Sequence, residues 1–244
     1  MVPTLVAAAI AALLAAALLG PAFDRRSLGI VVFAALVPDL DAAVSLVVYG
    51  ATNAAFHSFL LPVAAAGLLY WDTARRERSW LAERYGWRGI RIAWVALAAF
   101  VAAVALDLFS PEGVALFYPL HDRFYAVTGR LVYSTQNGLV QTYVTLGGEN
   151  VLAVGSPGTT ATHHVESWIN PTPGTGFETG VERRFPLVER GWQAIVVIAA
   201  VAVLAIRWRS SDSVVEGGDV VDAGGVPDDG DVAEDGSSVA EVSR

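Results

Sequence analysis

The sequence predicts a mainly α-helical, multi-pass membrane bundle of about five spans with a small β-rich extracytoplasmic segment. Of its 244 residues, 54% are hydrophobic, and the mean hydropathy of +0.49 is rarely reached by a soluble domain. Five apolar runs approach the length that crosses a bilayer: 2–19, 28–49, 54–71, 90–109 and 191–208. Arginines punctuate the links between them.

The first run precedes Gly20-Pro21-Ala22 and has no basic residue before it, since Arg25 and Arg26 follow. That order predicts a retained helix rather than a cleaved signal. The run 54–71 is the shortest. Arg25 and Arg26 lie between the first and second runs, six arginines from Arg75 to Arg91 lie between the third and fourth, and Arg207 and Arg209 follow the fifth. Alternate crossings put all three groups on one face, which the positive-inside rule makes cytoplasmic. The N-terminus is then outside and the C-terminal tail inside; Arg183, Arg184 and Arg190 run against this pattern.

Four regions follow: a four-helix membrane region over 1–109 with a candidate metal site, an extracytoplasmic segment over 110–190, a final span over 191–209, and a tail over 210–244. In the extracytoplasmic segment, runs 124–127, 130–134 and 139–146 are rich in Tyr, Val, Leu and Thr. Thr128-Gly129 and Asn137-Gly138 separate them, predicting a β meander. The Gly-, Thr- and Pro-rich stretch 147–180 reads as irregular loop, and 113–120 as an apolar stretch at the interface. The acidic tail has almost no aromatics, so little in it offsets the entropy of ordering, and it is expected to be disordered.

Cysteine is absent, which excludes disulfides and thiolate metal sites. Lysine is absent too. All 16 basic residues are Arg against 24 acidic ones, giving a net charge of −8. Excess carboxylate keeps a protein hydrated in concentrated salt, and this composition resembles that of proteins from salt-loving archaea. The charge sign argues against a nucleic-acid partner and leaves membrane lipid as the expected one.

Chemistry is expected where polar residues interrupt the apolar runs. Pro38-Asp39-Leu40-Asp41 lies in the second run, where an ionised carboxylate costs at least roughly 2.5–3.5 kcal/mol. On a continuous helix Asp39 and Asp41 point about 200° apart, so they converge only if Pro38 breaks the helix; otherwise both are helix-start carboxylates favoured by the dipole. His57 opens the third run, as a ligand or as a hydrogen-bonded core residue. Asp107 ends the fourth, where a helix C-terminus repels negative charge and a cationic partner is expected. His121-Asp122 is either a further functional pair or a surface turn. His163-His164 sits in the irregular loop.

Pro38-Asp39-Leu40-Asp41, Phe56-His57-Ser58, Leu106-Asp107-Leu108-Phe109 and Leu116-Phe117-Tyr118-Pro119-Leu120 occur in an order that resembles the membrane-bound metal-dependent hydrolases. That group includes a LexA-binding inner-membrane-associated hydrolase, and the halophilic archaeal branch is the most similar. The resemblance covers about the first half of the chain. It implies a helical membrane protein with a divalent metal ion (Mg, Mn or Zn) on Asp39, Asp41, His57 and Asp107. It departs in the first helix, where Val6-Ala7 stand in place of the family's histidine, and in Thr52-Asn53-Ala54-Ala55-Phe56-His57-Ser58, which keeps only the last two residues of a His-Arg-Gly-x-Thr-His-Ser motif.

The expected function is metal-dependent hydrolysis of an ester or phosphoester at the outer membrane face, with His121 or Asp122 as general base. The alternative is a non-catalytic scaffold or interaction protein with a degenerate metal site. A third reading, a small transporter or proton relay on the same carboxylates, lacks the inverted repeats such folds carry.

Overall fold

Alanine at every fourth position decides how the helices meet. In the computed structural model, which describes residues 2–129, 131–136, 138–142 and 155–216 (210–216 for their backbone alone), Ala7, Ala11 and Ala15 line one face of α1 (Thr4–Leu18). They pack against Val31 and Ala35 of α2 (Arg25–Leu36) and Val95, Ala99 and Ala103 of the long helix Trp80–Leu108. Residues four apart stack on one helical face, and small side chains let helix backbones approach closely. These three helices form the bundle core.

Asp24 starts α2. Its Oδ1 accepts from the Ser27 N–H at 2.7 Å while its own N–H donates to Ser27 Oγ at 2.8 Å, a reciprocal cap. Arg88 pairs with the same carboxylate. Pro38 stops α2, because its ring excludes the preceding helical turn and it has no N–H to donate. A 3-10 turn, Pro38–Leu40, and a one-turn α3 (Asp41–Val44) follow, bent 49° from α2. After the loop comes α4 (Leu60–Tyr70), extended by a π turn over Trp71–Arg75, then α5 (Trp80–Leu108), broken at Gly86. The last helix is α6 (Gly191–Glu216).

The structure corrects the expected five spans. Two described helices, Trp80–Leu108 and Gly191–Arg209, are long and apolar enough to cross a membrane, or three if α2 and its bent continuation form one span. α1 has 15 residues, roughly 22 Å against a hydrocarbon core of about 30 Å, and its small residues are buried inside the protein. The run 54–71 yields only the 11 residues of α4, because its first part leaves the helix to build the candidate site.

The β prediction is also narrowed. Among the described residues one hairpin forms, β1 (Leu131–Ser134) antiparallel to β2 (Gly138–Gln141), with Val132 opposite Val140. The run 124–127 does not join it: Tyr125 bridges to Val114 and Ala126 to Gly155. The remainder of the third predicted run, 143–146, lies outside the described residues. The chain divides into Met1–Arg207 and Trp208–Arg244. α6 continues to Glu216, into the segment expected to be disordered; the rest of that segment, 217–244, lies outside the described residues.

The Ser27 amide, then the Ser27 hydroxyl, hold the Asp24 carboxyl at a pKa of about 2, below its ordinary 3.8. A depressed carboxylate stabilises the fold above its unfolded pKa, and that contribution disappears as pH falls from about 4 toward 2. Asp24→Ala is expected to cost about 1 kcal/mol at neutral pH, with the exposed Arg88 pair adding little. Thermal unfolding in detergent at pH 7 and pH 3 checks this: the deficit should shrink at the lower pH.

Candidate metal centre

The loop between α3 and α4 is drawn inward. Ala51, Thr52, Asn53, Ala54, His57 and Ser58 are all buried, and a buried loop must find partners for its backbone. It finds them on the segment after α5. The Ala115 N–H donates to Asn53 O at 2.9 Å, the Phe59 N–H to Leu116 O at 2.8 Å, and Asn53 Nδ2 to Gly113 O at 3.0 Å. Gly113 sits at φ +69°, and a Cβ there would lie 2.5 Å from Tyr125 O, so only glycine allows this close approach. Ala54, Ala115, Phe124 and Val165 pack beneath the clamp.

The clamp fixes His57 between carboxylates from two other elements. Its Nδ1 lies 2.7 Å from Asp41 Oδ2 and its Nε2 lies 3.1 Å from Asp107 Oδ2. All three residues are buried. The break at Pro38 lets the third carboxylate join them: ligand atoms of Asp39, His57 and Asp107 all lie within 4.8 Å of one another. The first helix seals the group. Thr4 Oγ1 donates to Asp39 Oδ2 at 2.7 Å, and the Val2 N–H to Asp107 Oδ1 at 2.5 Å.

The residues therefore divide by role. Asp39, His57 and Asp107 present converging donor atoms, whereas Asp41 sits on the far nitrogen of the imidazole. A carboxylate in that position fixes ring orientation and tautomer for a metal-binding histidine. With a neutral ring, the Nδ1 proton goes to Asp41 and the Nε2 lone pair faces Asp107 and Asp39. Two carboxylates and a lone pair meeting in a buried space require positive charge among them, as a proton or a cation.

His121 and Asp122 lie outside this cluster. His121 is exposed, with its ring 6.2 Å from that of Tyr125. Both Asp122 oxygens accept from Thr160, its N–H at 2.9 Å and its hydroxyl at 2.7 Å. His163 donates from Nε2 to Glu112 O at 2.9 Å and meets Phe124 edge-on, so it anchors its loop. The contributions of Thr4 and Val2 carried no sequence signal, since a threonine at the start of an apolar run reads as an ordinary helix beginning. Asn53 left a faint one, being a residue type that tolerates the left-handed conformation it adopts at φ 55°.

Removing one partner of a buried ion pair leaves the other uncompensated, at a cost of about 3–5 kcal/mol. Asp41→Ala is expected to lower stability by that order, read as an earlier transition in SDS-induced unfolding, while Asp122→Ala should shift it far less.

No curated protein and no solved structure matches the chain. The family model described as YdjM inner membrane protein matches residues 4–211, a stretch that includes Thr4, Asp39, Asp41, His57 and Asp107. With this match over most of its length, and with helices able to cross a bilayer, the chain belongs to the YdjM inner membrane protein family.

Proposed function

We propose that this membrane protein is a metal-dependent hydrolase that cleaves an ester or phosphoester of a membrane lipid, with Asp39, His57 and Asp107 holding one divalent ion. The observation that carries the reading is the convergence of three ligand-type atoms within 4.8 Å beside a histidine oriented by a fourth residue, Asp41. Three protein ligands are what a catalytic metal site needs while one position stays open. Two carboxylates with one imidazole favour Mg or Mn and also accept Zn.

A divalent ion bound there supplies Lewis-acid polarisation of the ester and an acidified water. The chain's own residues do the rest. Asp41 holds the His57 ring and its Nδ1 proton, Thr4 orients the Asp39 carboxylate, and the loop 51–58 together with 113–116 encloses the centre. His121, exposed beyond the cluster, is better placed to exchange a proton than Asp122, whose two oxygens are engaged by Thr160.

The arrangement of arginines supports an outer-face site. Arg91 donates to Leu18 O at 2.6 Å and Arg207 to Gly20 O at 3.0 Å, and Arg88 pairs with Asp24, so three arginines gather at the α1–α2 turn. Along α5, Arg91 and Asp107 are separated by roughly 24 Å of helix. With the arginine end cytoplasmic, the centre lies toward the opposite face and the tail lies inside. The lysine-free acidic composition supports a high-salt setting of the halophilic archaeal kind.

A second reading has its own observation. Both His57 nitrogens already meet carboxylates, at 2.7 and 3.1 Å, so a protonated ring could complete a purely structural network in a non-catalytic scaffold. Elemental analysis of protein purified in mild detergent at high salt separates the two. Near-stoichiometric metal in the intact protein, lost in Asp39→Ala/Asp107→Ala, is the expected result, with Asp41→Asn weakening affinity by about 10–100-fold. No metal after loading, in protein that remains folded, would leave the scaffold reading.

A further inference from the structure

Positive charge is concentrated where α4 hands over to α5. The chain has a net charge of −8, yet residues 71–91 carry six arginines against three carboxylates. One of those carboxylates is used to close the turn. Asp72 pairs with Arg76 at 2.9 Å and accepts from the Ser79 hydroxyl at 2.8 Å and from the Trp80 and Leu81 N–H groups at 3.0 and 3.1 Å. Arg88 is paired with Asp24, and Arg91 donates to Leu18 O. Arg75, Arg78 and Arg84 are exposed, and among the described residues none of them forms an ion pair. Glu77 and Glu83, interleaved with them, form none either.

Aromatic rings share this segment. Trp71, Trp80, Tyr85 and Trp87 are each more than half exposed. Guanidinium groups lie over three of the rings: Arg76 over Trp71 at 5.1 Å, Arg84 over Tyr85 at 5.7 Å and Arg91 over Trp87 at 5.8 Å. Tryptophan and tyrosine are favoured at headgroup level, where one end of the ring is apolar and the other wet. Their place in the chain agrees. The apolar length of α5, a helix able to cross a membrane, begins at Ile90, and Gly86, at φ +65°, breaks the helix just before it.

This combination selects among partners. Guanidinium forks match phosphate oxygens bidentately, and the rings cover the apolar part of a lipid beside its headgroup. A soluble acidic protein would satisfy the charge without placing the rings at a bilayer. A zwitterionic lipid would cover the rings but bring an ammonium group with every phosphate. In molar salt the Debye length is about 3 Å, so direct contact of the guanidinium–phosphate kind is what persists there.

We infer that residues 71–87 form a recognition surface for the phosphate headgroups of anionic lipids, with Arg75, Arg78 and Arg84 as the contacts. The inference stands on charge and exposure at this end of α5 and is independent of the metal centre.

The test is electron spin resonance of the full chain in phosphatidylcholine vesicles at high salt, with the spin label on the acyl chain of either phosphatidylglycerol or phosphatidylcholine. The immobilised part of the signal gives the relative association of the two lipids. Phosphatidylglycerol is expected to associate about threefold more strongly. Arg75→Gln/Arg78→Gln/Arg84→Gln should bring the two lipids to parity with an unchanged thermal transition, since all three side chains are exposed. Arg184→Gln/Arg190→Gln, which removes exposed arginines outside the segment, should leave the preference intact. Equal association of both lipids with the intact chain would overturn the inference. So would a preference that survives in the folded triple variant, or one lost equally when Arg184 and Arg190 are replaced.

Discussion

An imidazole held between two carboxylates in an apolar protein imposes most of what surrounds it. Each buried charge is costly unless paired in good geometry, and His57 meets Asp41 and Asp107 from opposite edges of its ring. The three residues come from a helical turn, a loop and a helix end that are distant in sequence. Pro38 must break α2, the loop 51–58 must abandon helix and bury its backbone, and α5 must end where Asp107 reaches inward. The hydrogen bonds between 53–59 and 113–116 are the mechanical consequence, since a loop that follows its histidine inward needs backbone partners there.

The alanine face of α1 answers a second demand. To deliver Val2 and Thr4 to the carboxylates, the first helix must lie close against α2 and α5, and side chains larger than alanine at positions 7, 11 and 15 would hold it away. Hydropathy alone does not separate a helix that is apolar because it meets lipid from one that is apolar because it meets protein. Burial does: Val6, Ala11 and Ala15 are almost fully enclosed, while Ile195, Ile198 and Val201 on α6 are mostly exposed. The two helices share a hydropathy signature and differ in what covers them.

This explains which features were legible in the sequence. Asp39, His57 and Asp107 stood out because a polar residue in an apolar run needs a reason, and Pro38 announced the break that lets its neighbours converge. The count of spans was overestimated because interior packing and lipid contact select the same residue types. The separate position of Asp41, two residues from Asp39 and on the far side of the histidine, depends on how a 3-10 turn hands over to α3, which no periodicity encodes. The hydrogen bonds of Thr4 and Val2 join residues 35 and 105 positions apart, and such contacts leave no local pattern. The run 124–127 had strand-like composition but found a partner in Val114 rather than in the next run, because the clamp had already brought 113–116 alongside.

Asp39 is the residue on which the two functional readings part. A structural network needs only His57 with Asp41 and Asp107, one cation between two carboxylates. The third carboxylate, Asp39, with an oxygen within 4.8 Å of ligand atoms of His57 and Asp107, adds repulsion and desolvation, and the single hydrogen bond from Thr4 does not neutralise it. With all three ionised and the ring protonated, two negative charges remain; a proton on Asp39 beside the protonated ring, or a divalent ion beside a neutral ring, each leaves one. A carboxylate in excess of what the histidine can balance needs one further positive charge, and whether a proton or a doubly charged ion supplies it is what separates the structural network from the metal centre.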